Sequence, residues 1–415
     1  MLDLRLIRDD PDGVRAALAR RRAGDGVVDE ILALDERWRS LQPQRDELRA
    51  TQKKAGERIA EAKRAGEDAS EAMAEMQDVA ARVKQLDSEV GEAKGLLDAR
   101  LASLPNLPAE TAPPEDEVLR EVGEAGRTGK DHLELLGPMA DMEAGARLSG
   151  SRFAYLRGPA VMLELALVRW ALELLSAGHG FEPVAPPVLV REEALYGTGF
   201  LPDTEQQIYH LPEDDLYLAG TSEVALAYLH AGQILDEAEL PRHYAGFSTC
   251  FRREAGAAGK DTRGIFRVHQ FDKVEMFSFV RPEDSEEEHE RLLSIEEEIF
   301  QALEVPYRVV NIAAWDLGAS AAKKYDIEAW LPGQERYREV TSTSNTTDYQ
   351  ARRLDARYRP DNGGPRAMHT LNGTAVAVGR TIIAIVENGQ QDDGTIRIPE
   401  VLHAYGAPPT IQAAN

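Results

Sequence analysis

A hydrophobic repeat of 3.5 residues in the first quarter of the chain constrains its fold more than any other feature. Ile31, Leu34, Trp38, Leu41, Leu48, Ala55, Ile59 and Ala62 fall on alternating steps of three and four, with Arg45 and Gln52 in the two remaining seam positions. Met76, Val79, Val83, Leu86, Val90, Ala93 and Leu97 keep the same alternation. That period, held over several heptads, specifies a left-handed coiled coil. The connector from Arg64 to Asp68 is short, which predicts two antiparallel helices over about 28–64 and 69–101. Pro43 falls inside the first, where it removes a backbone hydrogen bond and predicts a kink. Such a hairpin reaches on the order of 50 Å at 1.5 Å per residue, and its seam is too narrow to make a core. It needs a larger body to project from. The period does not choose between a binding arm and a dimerisation or spacer coil.

Charge narrows the choice only a little. The 415-residue chain carries a formal charge of −24, which argues against a non-specific coat for nucleic acid. The distribution is uneven: residues 31–64 hold nine Lys/Arg against six acids, and residues 65–100 four against nine. Those nine are Arg37, Arg39, Arg45, Arg49, Lys53, Lys54, Arg58, Lys63 and Arg64. By composition alone a mixed-charge helix reads as a solvated face. The one cysteine, Cys250, excludes an internal disulfide or a Cys-rich zinc site and points to a reducing cytoplasm. MLDLRLIRDD carries acids at once, so no signal peptide is expected. No run approaches the roughly 18 apolar residues of a membrane helix, and no membrane partner is expected.

Pro105, Pro108, Pro113 and Pro114 mark a linker, 105–118, between an N-terminal domain, 1–104, and a second domain, 119–415. Beyond it, β-rich runs at 244–251, 274–280 and 307–312 mix irregularly with helical stretches at 160–177, 285–304 and 375–387. That texture predicts one α+β domain on an antiparallel sheet, without the strict βαβ repeat of a doubly wound fold.

Familiar catalytic motifs are absent: there is no G-x-S-x-G, no H-E-x-x-H and no Walker A. Residues 247–279, FSTCFRREAGAAGKDTRGIFRVHQFDKVEMFSF, read instead as strand, Gly-rich loop and strand. Antiparallel pairing would gather Arg252, Arg253, Glu254, Arg263, Arg267 and Glu275 on one face, and clustered guanidinium groups suit phosphate. Phe266 offers an aromatic face for a base; a surface hairpin of compensating ion pairs is the competing reading. Thr221, Ser222 and Glu223 precede an apolar helical run and read by themselves as an N-cap with a first-turn acid. Residues 339–353, EVTSTSNTTDYQARR, are dense in hydroxyls and end in paired arginines. In 372–388 a lone Arg380 enters an apolar helix, where it needs a salt bridge or an anionic ligand.

Taken in order, these segments resemble the class II aminoacyl-tRNA synthetases, and among them the bacterial-type seryl family, over essentially the whole chain. GFEPVAPPVLV, near 180–190, is similar to motif 1, the dimer-interface element; residues 247–279 and 372–388 resemble motifs 2 and 3. The resemblance implies an antiparallel-sheet catalytic domain preceded by a two-helix coiled-coil arm for tRNA. It implies a homodimer through motif 1, with ATP, L-serine and tRNA(Ser) as partners, and leaves open whether tRNA(Sec) is also served. It assigns Arg252 and Arg380 as catalytic residues on the α- and γ-phosphates. Arg253, Glu254, Phe266, Val268, Glu339, Val340, Thr341 and Ser342 complete the ATP site, Glu339 with Mg2+. Serine would be held by Thr221, Ser222, Glu223, Arg252, Glu275, Asn372 and Thr374. On the arm, Arg37, Arg45, Arg49, Lys53 and Lys54 become the expected RNA-facing residues.

The chain departs from the family's usual wording in places. Where many members read SSCSNCTDFQ it has TSTSNTTDYQ, and where many read NGS it has NGT. Thr374 keeps a hydroxyl and adds a methyl group beside the substrate. With Thr343 and Thr346 in the places of the usual cysteines, no zinc is expected. Two alternatives compete with the ligase: a synthetase-derived binding protein without catalysis, and an aminoacyl-carrier-protein ligase without tRNA.

Overall fold

The computed structural model describes residues 1–24, 26–202, 207–255, 261 and 263–414, which fall into two compact units, Leu2–Pro105 and Asn106–Asn415. The first is helical: α1 (Leu4–Asp9), α2 (Pro11–Arg20), α3 (Val27–Ala65) and α4 (Ser70–Ser103). Asp3 and Asp10 start α1 and α2 by accepting the backbone N–H of Arg5 and Gly13, and Pro11 supplies the preset φ of a first turn. Gly66 ends α3 in the left-handed conformation, φ 72°, which a side chain would oppose. Ion pairs join Glu30 to Arg100 at 2.8 Å, Arg37 to Glu92 at 4.0 Å and Arg49 to Asp87 at 2.8 Å. Residue numbers rise on one helix as they fall on the other, the mark of antiparallel packing. Ile31, Ala55, Val83, Val90, Ala93 and Leu97 are the buried part of the expected seam. Pro43 does not divide α3; its ring removes the one bond to the Arg39 carbonyl and the helix runs on.

Of the cations expected to face RNA, Arg37 and Arg49 are tied across the hairpin as above and Arg45 pairs with Asp46 at 2.9 Å. Lys53 and Lys54 are exposed and have no ion pair among the described residues. Among the described residues of this unit one carboxylate is buried. Asp35, 1% exposed, accepts a two-pronged grip from Arg8 (2.8 and 2.5 Å) and a further contact from Arg39 at 3.0 Å. The Arg8 hydrogen bond holds the Asp35 carboxyl below its ordinary value against the cost of burial. That stabilisation is therefore present above the ordinary carboxyl pKa of about 4 and is lost as pH falls below it. We expect Asp35→Ala to destabilise the α1–α3 contact by about 2–3 kcal/mol at neutral pH, read as faster amide exchange in α1 and α2.

The second unit is built on an eight-stranded sheet: β1 (Glu117–Val122), β2 (Glu182–Val184), β3 (Arg242–Phe251), β4 (Gln270–Val280), β5 (Tyr307–Asn311), β6 (Lys323–Leu331), β7 (Arg336–Asn345) and β8 (His369–Ala377). Its order is β1-β5-β6-β7-β8-β4-β3-β2, antiparallel throughout except where β2 runs parallel to β3. Among the helices that position the site are α5 (Pro159–Glu173), α6 (Glu223–Tyr228), α7 (Ser285–Ala302), α8 (Tyr349–Leu354) and α9 (Val378–Gly389). The main core sets Leu163, Leu167 and Trp170 of α5, Leu292, Ile295 and Ile299 of α7, and Ile382, Ile385 and Val386 of α9 against apolar strand residues. β4 is buried along most of its length, from Lys273 to Val280.

Two expectations change here. Ala375–Ala377, read as helical, extend β8 because Val376 and Ala377 pair with Val274 and Lys273; the helix begins only at Val378. The proline-rich run is held to this unit from Asn106 on. The Asn106 amide donates to the Ser320 and Thr346 carbonyls at 2.9 Å each, and the Pro113 carbonyl accepts from Ala314 N–H at 2.8 Å.

Candidate active site

The β3–β4 hairpin pairs Phe251 with Gln270 through Arg242 with Phe279, as strand, loop and strand predict. Of the Gly-rich loop between them, Gly256–Lys260 and Thr262 lie outside the described residues. Above this floor is a cavity of about 190 Å3 bordered by Thr221, Glu223, Arg252, Glu254, Phe266, Val268, Glu275, Glu339, Val340, Thr341, Ser342, Asn372, Thr374 and Arg380. Those residues come from five separate stretches of chain. Two expected members stand apart. The Ser222 hydroxyl donates to the Gly246 carbonyl at 3.3 Å, and Arg253, outside the lining, is fixed by its backbone N–H on the Gln207 carbonyl at 2.8 Å.

Register faults explain how so many neighbours reach one cavity. In a plain strand, alternate residues face opposite sides, so four in a row cannot share a surface. Between β6 and β7 the pairing shifts by one, with Ile327 opposite Thr341 but Glu328 opposite Glu339, leaving Val340 without a partner. This bulge lets Glu339, Val340, Thr341 and Ser342 all border the cavity. A second shift sets Val274 against Val376 and Glu275 against Thr374. There Glu275 accepts from Asn372 Nδ2 at 3.1 Å and Thr374 Oγ1 at 3.3 Å.

Lys273, two residues before Glu275 on the same face, was missed by sequence reasoning although the alternation of a strand could have found it. Buried and 5% exposed, it donates to Thr221 Oγ1 at 2.7 Å and pairs with Glu275. Thr221 does the local work expected of a cap, accepting the Glu223 N–H at 3.2 Å, while Ser222 makes no capping bond. Ser222 instead fastens α6 to β3, where Gly246 leaves room for it. A Cβ on Gly246 would stand 2.7 Å from Leu226 Cδ1 and 2.9 Å from Ser222 Oγ.

The two arginines expected to meet phosphate have protein partners. Arg252 donates to the Gly220 carbonyl at 3.1 Å. Arg380 donates to the Glu339 carbonyl at 3.1 Å and lies 3.5 Å from its carboxylate, so the helix arginine is salt-bridged within the cavity wall. Phe266 has the guanidinium of Arg338 at 3.9 Å and that of Arg380 at 4.7 Å from its ring centre. Glu254 holds Arg267 at 2.7 Å from a left-handed backbone, φ 51°, of the kind concentrated at functional sites. Arg263 points elsewhere, to Asp131 at 2.9 Å.

Two carboxyl groups are pushed in opposite directions. Burial and then the Glu275 charge raise Glu223 to about 7. Burial would also raise Glu339, but Lys324, Arg380 and Arg252 outweigh it and bring it down to about 2. Among the described residues no three His, Cys, Asp or Glu side chains gather into a metal cage. Nucleotide-bound Mg2+ needs only one or two carboxylates, and an ionised Glu339 with Ser342 on the same cavity wall offers hard oxygens that fit it.

An antiparallel sheet carrying motif-like arginines around such a cavity defines a class II tRNA synthetase core, and that family model, which spans the G, H, P, S and T enzymes, matches residues 208–389. The seryl-tRNA synthetase N-terminal domain model matches residues 1–108. The chain is 50% identical over 412 residues to the serine--tRNA ligase of Rhodococcus jostii strain RHA1, covering 97% of each. Its structure superposes on seryl-tRNA synthetase from Pyrococcus horikoshii complexed with ATP, with a TM-score of 0.92, 44% identity and full coverage of both chains. Against the cytoplasmic serine-tRNA ligase of Naegleria fowleri in complex with AMP the TM-score is 0.87 at 33% identity, covering 100% of this chain and 99% of that one. The chain belongs to the seryl-tRNA synthetase family.

We expect Gly246→Ala to push α6 away from β3 and cost about 1–3 kcal/mol, checked by thermal unfolding.

Proposed function

We propose that this protein is a serine--tRNA ligase, which joins serine to ATP as seryl-adenylate and then passes the seryl group to tRNA(Ser). The observation that carries this reading is the meeting of Arg252 and Arg380 with the carboxylates Glu223, Glu275 and Glu339 around one cavity. In the first step a serine carboxylate oxygen attacks the α-phosphorus and the bond to pyrophosphate breaks. In the second, a ribose hydroxyl at the tRNA 3′ end attacks the acyl carbon and AMP leaves. Anions must meet in the first step, so the protein supplies position and positive charge, and no protein nucleophile is needed.

Arg252 would hold the α-phosphate and the serine carboxylate, and Arg380 the γ-phosphate. Glu254, Phe266 and Val268 would border the adenine; for Phe266 to stack on it, Arg380 must share the ring face. Glu339 would hold the Mg2+ that comes with ATP, which neutralises phosphate charge. Glu223 suits the substrate ammonium. Glu275, with Asn372 and Thr374 already on it, suits the side-chain hydroxyl, and a buried site built to bond that hydroxyl rejects alanine. The homodimer reading is supported by apolar side chains left exposed, Leu189 within the motif 1 segment and Met162 and Leu165 on α5. No helix among the described residues is long and apolar enough to cross a membrane, and a cytoplasmic location suits the lone buried Cys250.

Serine-dependent exchange of pyrophosphate into ATP tests the chemistry, and its absence would sink the ligase. Arg380→Ala should slow exchange by about 10²–10³-fold with little change in melting temperature; an unchanged rate would remove Arg380 from the ATP site. Deletion of residues 28–101 should leave serine activation intact and cut tRNA(Ser) charging severely. Normal serine activation with no charging of tRNA(Ser) by the full-length protein would favour the carrier-protein alternative.

A further inference from the structure

Glu223 is held from behind by residues that do not border the cavity. Gln350, in α8, is fully buried. Its amide nitrogen donates to Glu223 Oε1 at 2.8 Å and to the Thr198 carbonyl at 3.3 Å. Its amide oxygen accepts from Thr370 Oγ1 at 2.9 Å and lies 3.4 Å from Thr346 Oγ1. Thr346 and Thr370 are themselves buried, with their hydroxyl oxygens 2.6 Å apart, and Thr346 Oγ1 also lies 2.7 Å from the Thr370 carbonyl oxygen.

An amide oxygen can only accept, so Thr370 must donate to Gln350. With its single proton spent there, Thr370 Oγ1 can only accept, and the Thr346 hydroxyl has both that oxygen and the Thr370 carbonyl oxygen within reach of its own proton. A flipped amide would set its carbonyl against the Glu223 carboxylate and the Thr198 carbonyl, so these two acceptors and the Thr370 donor hold Gln350 in one sense. In that sense it presents an N–H to Glu223, which favours the ionised carboxylate over the acid.

We infer that Gln350, backed by Thr370 and Thr346, is a positioning residue for substrate amine recognition: it holds Glu223 as an oriented, charged acceptor for the ammonium of the amino acid. The inference rests on the serine-pocket reading and deepens it, because none of these three residues touches the cavity. The need for such support is electrostatic. Facing Glu223 are Glu275 and Lys273 from β4 and Arg252 at the end of β3, while α8 contributes the neutral amide of Gln350. Burial and Glu275 oppose ionisation, whereas Lys273, the Gln350 hydrogen bond and Arg252 favour it; the balance stands at about 7. Near neutral pH the carboxylate is therefore only marginally charged, and a single hydrogen bond moves its population appreciably. Above that value Glu223 is ionised and can bind an ammonium. Below it the charge is lost. Without Gln350 the changeover moves to higher pH.

The test is the Michaelis constant for serine in pyrophosphate exchange, measured with the full-length protein from pH 6.5 to 8.5. Gln350→Met keeps the side-chain volume and removes both donors. It should raise the serine KM on the order of tenfold at pH 7 and less at pH 8.5, leaving the ATP KM unchanged. Thr370→Val should give a smaller shift in the same direction, and Thr370→Ser should restore the parent value. A folded Gln350→Met protein with an unmoved serine KM overturns the inference. So does a rise that is the same at every pH, which packing damage would give. Should Gln350→Met not fold, Thr370→Val decides, and an unmoved serine KM there is equally fatal. Failure of serine-dependent exchange in the parent protein would strike the serine pocket itself. Normal exchange with unmoved variants strikes only the relay.

Discussion

The catalytic unit depends on keeping charge in the middle of its sheet. β4 is buried along its inner length, yet it carries Lys273 and Glu275 on one face. Neither charge is tolerable there alone, since an unpaired buried ion costs several kcal/mol. They are paired, and the unused hydrogen-bonding capacity of each reaches a different element. Lys273 turns to Thr221, just ahead of α6, and Glu275 to Asn372 and Thr374 on β8. The cavity floor is thus the solution to a solvation problem, and its side chains owe their positions to satisfying it.

The same cavity is balanced in charge where the molecule around it is acidic, with Glu223, Glu254, Glu275 and Glu339 set against its cations. A chain with a net charge of −24 gathers Arg252, Arg267, Arg380 and Lys273 at one concave place. In free form those cations are neutralised locally, Arg380 by Glu339, Arg267 by Glu254 and Lys273 by Glu275. A polyphosphate entering the site exchanges one set of anions for another, so the arginines stay oriented without lying bare in a low-dielectric pocket. The acidic exterior adds no long-range pull on such a ligand, so recognition is left to contact distances.

Much of this was legible in the sequence where periodicity or pairing governs. The heptads of Ile31–Ala62 and Met76–Leu97 gave the hairpin, and the β3–β4 pairing followed from two β-rich runs around glycines. Thr221, Glu223 and Glu275 were singled out, but Lys273 beside them was not, because a lysine in a strand ordinarily reads as solvated. Ser222 was misjudged as a helix cap; its hydroxyl goes to a strand carbonyl that only tertiary packing brings near. Ala375–Ala377 look helical because small and apolar residues suit both periods, and the ladder to β4 settles the matter. Gln350, Thr370 and Thr346 lay beyond reach for a simpler reason. Thr346 and Gln350 are near each other in the chain, but their arrangement depends on Glu223 and Thr370, which only the fold brings to them.

The unpaired Val340 has a consequence for how this chain can change over time. Substitutions in β7 alter one side chain, but loss of a single residue would restore plain alternation to the strand. Glu339 or its neighbours would then turn from the cavity to the opposite face, taking the partner of Arg380 with them. A length change of one in ten residues of strand would therefore do more harm than many point changes. The spacing of this segment is under tighter constraint than its lettering.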